Sequence, residues 1–79
     1  MEQAIAFLQY MVENLVSDRE AISIESKEDE LGILLTLRVA KDDMGVIIGK
    51  WGNTINALRS LLRILGMKLD KRINLKVED

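Results

Sequence analysis

The sequence predicts an α+β fold in the order α-β-β-α-α-β, a three-stranded sheet with the helices packed on one face. Two periodicities predict it. Apolar residues recur every three to four positions near the start and again in the second half, the signature of helices with one buried stripe. Between and after those segments they alternate with polar residues, the signature of half-buried strands. At 79 residues, with no proline and no cysteine, the chain has room for one domain over 1–79, close to the size at which a single core barely suffices.

Ala4, Ile5, Phe7, Leu8, Met11, Val12, Leu15 and Val16 fall on one helical face, which predicts a first helix from about Glu2 to Val16, ended by Ser17-Asp18. Ile22 and Ile24 alternate with Ser23 and Glu25 as a strand, and the acidic stretch Lys27 to Glu30 reads as the solvated connection of a hairpin. Gly32 opens a second strand with Ile33, Leu35, Leu37 and Val39 inward and Leu34, Thr36 and Arg38 outward. Asp42 and Asp43 then suit the first turn of a short helix reaching about Ile48, where carboxylates meet the positive end of the dipole. A longer helix follows, its stripe Ile55, Leu58, Leu62, Leu65 and Leu69 running past Gly66 to about Leu69, with Gly66 as a C-cap the competing reading. Asp70-Lys71 turns into a last strand that directs Ile73, Leu75 and Val77 inward.

Composition excludes several functions. Histidine and cysteine are both absent, and no nucleophile and base pair or carboxylate cluster falls in a glycine-rich or strand-end context. The expectation is therefore no enzyme, no catalytic residue, no metal and no cofactor. The amphipathic N-terminal run fails as a signal peptide and nothing reaches transmembrane length, so a cytoplasmic protein without a membrane role is expected. Net charge is −2, which alone argues against nucleic acid. Its distribution argues the other way: residues 1–43 hold four basic and ten acidic side chains, residues 44–76 seven basic and one acidic. Such polarity can present a local basic surface, although a solvated charge pattern without function is the plainer account.

The segment Val46-Ile47-Ile48-Gly49-Lys50-Trp51-Gly52-Asn53 joins the short helix to the long one through a GxxG turn. Glycine at both ends lets backbone approach a ligand closely. Asn53, read as the N-cap of the following helix, leaves free N–H groups and the positive dipole end facing the turn, a setting for a phosphate. A bare GxxG is common, but Ile47-Ile48-Gly49-x-x-Gly52-x-x-Ile55-x-x-Leu58 resembles, without gaps, the signature of the KH domain, whose GxxG loop clamps about four backbone nucleotides of single-stranded RNA. The element order resembles the type II arrangement, and the chain is similar over nearly its whole length to the small bacterial single-KH RNA-binding proteins of the KhpA type. Ala40 to Gly45 and Lys71 to Val77 share that likeness. Trp51 departs from it, standing where a polar or basic residue is more usual.

The resemblance implies a single-stranded RNA binder acting as an RNA chaperone. It places bases in a groove with Gly45, Val46, Ile48 and Ile55 on one wall and Leu37 to Val39 on the other. Gly49 and Gly52 would form the clamp and Lys50 supply its charge. Arg38 and Lys41 lie near that groove by sequence order, with solvated charge an equal account. Trp51 would stack on a base or ribose, or pack against a protein. On the long helix, Asn56, Arg59 and Arg63 share a flank from which two guanidinium groups reach phosphates or bases. A third face holds Ala57, Ser60, Leu61, Ile64 and Met67, small or apolar residues turned away from the core stripe. This face reads as a dimer interface or as a wider core. The resemblance favours a homodimer, or pairing with a larger KH-containing partner. A protein-interaction module without RNA is the alternative function.

Overall fold

The structure, a computed structural model, describes residues 2–78. Its elements are α1 (Glu2–Glu13), β1 (Ser23–Asp29), β2 (Gly32–Arg38), α2 (Met44–Ile48), α3 (Asn53–Leu69) and β3 (Ile73–Glu78), in the expected order. Single 3-10 turns occupy Arg19–Ala21, Lys41–Asp43 and Lys50–Gly52.

Along α1, Ala4, Leu8 and Val12 recur every fourth residue and are fully buried. The helix ends at Glu13 rather than Val16. The Asn14 side-chain amide donates to the Tyr10 carbonyl at 2.7 Å, and Arg19 Nε donates to the Glu13 carbonyl at 3.2 Å. These bonds satisfy carbonyls that a further helical turn would have used. Val16 still packs against the core from the turn beyond.

The strands lie in the order β1-β2-β3. β1 and β2 form an antiparallel hairpin, from Ser23 opposite Arg38 to Asp29 opposite Gly32. β2 and β3 run parallel, from Ile33 beside Ile73 to Arg38 beside Glu78, which the long crossover through α2 and α3 permits. Lys27, Glu28 and Asp29 belong to β1 and not to the connection, which shrinks to Glu30-Leu31. Asp29 Oδ1 closes that turn by accepting from the Leu31 N–H at 2.8 Å and the Gly32 N–H at 3.2 Å. Glu28 is held in an ion pair with Lys71. Charge along an edge strand also discourages a stray chain from pairing there.

The helices cover one sheet face, as expected. Ile33, Leu35 and Leu37 of β2 meet Leu8 and Val12 of α1, Ile47 of α2, Ile55, Leu58 and Leu62 of α3, and Ile73 and Leu75 of β3 in one buried cluster. Each such side chain stabilises the fold by about 1.5–3 kcal/mol through apolar burial. α3 runs through Gly66 to Leu69, and the left-handed cap is Asp70 at φ 58°. Gly66 is buried for another reason: a Cβ there would collide with the Lys71 carbonyl. The Lys71 N–H donates back to the Gly66 carbonyl at 2.8 Å, so this glycine lets β3 start tight against α3.

Asp43 stands at the start of the short helix, as expected, but its carboxylate does not cap that helix. It closes a separate 3-10 turn, and its carboxylate is buried. There it accepts from the backbone N–H of Ser17 at 2.9 Å and of Asp18 at 3.1 Å. The carboxylate ties the end of α1 to the start of α2. Among the described residues no helix is long and apolar enough to cross a membrane.

Candidate nucleic-acid interface

Between α2 and α3 the chain reverses in four residues. Gly49 has φ 77° and ψ 172° and Gly52 has φ 75° and ψ 14°, backbone regions that an L side chain occupies only with strain. The Gly52 N–H donates to the Gly49 carbonyl at 3.2 Å, closing the turn. Asn53 is already helical, at φ −64° and ψ −39°. Gly52 therefore takes the cap position expected of Asn53 and brings no capping side chain to the start of α3. The 3-10 turn Lys50–Gly52 feeds directly into the helix, which leaves no extended residue from which a side chain can reach back.

The two glycines are glycine for different reasons. A Cβ on Gly49 would stand 2.7 Å from Thr54 Cβ and 2.8 Å from Thr54 N. The space it leaves is filled by the protein itself rather than kept for a ligand. A Cβ on Gly52 would meet only Asn56 Nδ2 at 3.7 Å and Ile55 Cγ2 at 3.9 Å, so its surroundings are open. Gly45, in α2, is exposed and has nothing within 4 Å of a notional Cβ. Packing gives no reason for a helix-weakening residue there.

Lys50, Trp51 and Asn53 are exposed on the turn, with Val46 and Ile48 exposed on α2. Lys50 has no carboxylate partner among the described residues. Trp51 adopts φ 58° and ψ 21°, a left-handed conformation that costs a bulky residue about 1–2 kcal/mol.

The expected groove wall on β2 is not there. β2 is the central strand, with neighbours on both edges, and Leu37 and Val39 are buried. Ile55, at 5% exposure, is also core and can act on a ligand only by holding the start of α3. Arg38 points to the helix-free face of the sheet, where it pairs with Glu78 at 3.0 Å. Lys41 is exposed on the 3-10 turn before α2.

An accessible wall lies instead along α3 and the edge strand β3. Arg59 Nε and Nη2 both donate to the Leu75 carbonyl at 3.4 Å, covering one of the backbone groups that an edge strand leaves unpaired. One helical turn further, Arg63 joins Lys71, Arg72, Asn74 and Asp70 around a cleft of about 420 Å³. Arg63 and Arg72 have no carboxylate partner among the described residues, whereas Lys71 is paired with Glu28. Asn56 is exposed on the same flank, nearer the turn. Sequence reasoning missed Arg72 and Asn74, which come beside Arg63 only because Gly66 lets the chain fold back. The surplus of basic side chains after residue 44 was the available signal.

On the face of α3 turned away from the core, Ala57, Ser60, Leu61, Ile64 and Met67 are all exposed, Ile64 at 59% and Met67 at 71%, and Met67 also lines the cleft beside Arg63. This excludes the reading as a wider core within one chain.

A family model described as the KH domain of KhpA/KhpB matches residues 5–77. The chain is 39% identical over 71 residues to the RNA-binding protein KhpA of Chlamydia pneumoniae, covering 90% of this chain and 91% of that one. It is 32% identical over 75 residues to the protein of that name from Borreliella burgdorferi, covering 95% and 92%. With the one from Listeria monocytogenes serovar 1/2a it shares 37% over 67 residues, covering 85% and 88%.

Proposed function

The chain belongs to the KhpA/KhpB family of KH domains, and from that premise we propose that it binds single-stranded RNA through the Gly49–Gly52 turn and the flank of α3. The relatives are named as RNA-binding proteins. One observation carries the reading for this chain: the turn and the basic cleft sit on a single helix, with Lys50 before its start and Arg59 and Arg63 following along one side. A strand whose phosphate meets Lys50 and the uncapped N–H groups at the start of α3 continues past Asn56 and Arg59 toward Arg63 and Arg72. Its bases then face the free backbone of β3. Arg59, now on the Leu75 carbonyl, is displaced toward phosphate or base as the strand enters.

The exposed face of α3 supports pairing through Leu61, Ile64 and Met67, with Ala57 and Ser60 small enough to let a second helix approach. The occupant is a second copy of the chain or a larger KH-containing protein, beside the RNA site and not in place of it. The single domain over 1–79 then acts in the cytoplasm as an RNA chaperone, without a catalytic step.

Salt dependence tests the RNA reading. About three phosphate contacts on a single strand give a slope of log affinity against log salt near −2, since each contributes about −0.7. Arg63→Ala should make the slope shallower by up to about 0.7, and Lys50→Asp should abolish binding in a folded protein. Duplex RNA should bind far more weakly, because it hides the base edges that a narrow cleft needs splayed. Equal affinity for duplex and single strand, or full affinity in Lys50→Asp, overturns the proposal.

A further inference from the structure

The clamp makes no use of the most exposed large side chain on the loop. Trp51 is the only tryptophan in the chain, is 86% exposed, and is held in a left-handed backbone conformation within a turn closed by the Gly52 N–H on the Gly49 carbonyl. A side chain of this size ordinarily stabilises a fold by being buried. Here it buries almost nothing and sits where glycine or asparagine would cost less, so the fold itself gives no reason for an indole.

Its setting narrows what the indole meets. Its chain neighbours are Lys50, Gly52 and Asn53, none of them apolar. Protein-binding hot spots lie inside a packed patch ringed by contacts that exclude water, and Trp51, on a tight loop with only Val46 and Ile48 as exposed apolar side chains close to it in sequence, lacks that ring. An aromatic beside a cation matches the arrangement that holds single-stranded nucleic acid, in which the cation meets phosphate and the ring stacks on a base. The geometry points to Trp51 as a stacking platform for the nucleobase next to the phosphate held at Lys50. The inference rests on the RNA reading above and adds to it a contact with the base.

Two consequences separate it from the clamp. Stacking releases no counterion, so removing the indole lowers affinity without changing the salt slope, whereas removing Lys50 changes both. Every base has a π-face, so the contact tolerates any sequence and favours the larger purines.

The experiment uses the full chain with eight-nucleotide oligoadenylate and oligouridylate, and with an eight-unit ribose-phosphate oligomer lacking bases. Because Trp51 is the sole tryptophan, its fluorescence reports on this position alone. Oligoadenylate should quench it saturably and oligouridylate should bind less tightly. Trp51→Ala should weaken oligoadenylate binding by about 5- to 140-fold at unchanged slope, and Trp51→Phe should restore part of the loss. The base-free oligomer should bind wild type and Trp51→Ala alike. Full oligoadenylate affinity in Trp51→Ala, or unquenched fluorescence at saturation, overturns the stacking contact while wild-type binding leaves the clamp standing. Absence of any RNA binding by wild type overturns both. A fluorescence shift that follows protein concentration without RNA assigns Trp51 to a protein contact and also overturns the inference.

Discussion

Three glycines around the loop differ in what the fold demands of them, and single substitutions separate them. Gly49 combines a backbone region closed to other residues with the bulk of Thr54 against its α-carbon. Gly49→Ala should therefore destabilise the protein by more than about 2 kcal/mol. Gly52 faces open space and asks only for a left-handed backbone, so Gly52→Ala should cost about 1 kcal/mol. Equal losses of denaturation free energy for the two would show that Thr54 yields freely. Gly45 has neither demand, and Gly45→Ala should raise stability by about 0.5–1 kcal/mol through helix propensity alone. If the RNA strand lies against α2, the same added methyl should lower RNA affinity; unchanged affinity would place the strand away from that helix.

Among the elements, α2 is only five residues long and too short to be stable by itself. Its position depends on the Asp43 carboxylate, which holds the chain after α1 by two backbone N–H groups. Asp43→Asn keeps the shape but offers one acceptor oxygen and an amide that cannot accept. The loss of a charge-assisted bond to one of these N–H groups should cost about 1.5–3 kcal/mol. Hydrogen exchange should show it as faster exchange at Ser17, Asp18 and α2, ahead of β2; uniform acceleration would mean that the latch supports the whole fold and not this junction. Asp43 was legible as a helix-start carboxylate, but its partners lie 25 and 26 residues away, beyond what a local pattern can convey.

For the whole molecule, one long helix serves three surfaces: core, basic cleft and exposed apolar face. Ile64→Lys tests the third. At 59% exposure the side chain contributes little to the folded monomer, so the substitution should shift stability by no more than about 0.5 kcal/mol. In a dimer interface the same ammonium is buried without a partner and strongly unfavourable. Sedimentation at tens of micromolar should show wild type as a dimer and Ile64→Lys as a folded monomer. A variant that remains dimeric would take this face out of the dimer, and a monomeric wild type would leave it to a larger KH-containing partner or to solvent.

The order of elements, the inward residues of β2 and β3, the unbroken α3 and its exposed third face were all legible in the sequence, because each follows from repeats of two or 3.6 residues along one segment. The GxxG turn was legible because glycine reports backbone conformation directly. Tertiary structure decided what no segment carries alone. It made β2 central and so buried the wall expected at Leu37 to Val39, set Arg38 against Glu78 on the opposite face, and filled the space at Gly49 with Thr54. It also brought Arg72 and Asn74 of the β3 entry to Arg63 of α3. Periodicity says which face of an element is buried; which elements share an edge depends on how strands pair across the chain, and the accessible groove lies at that edge.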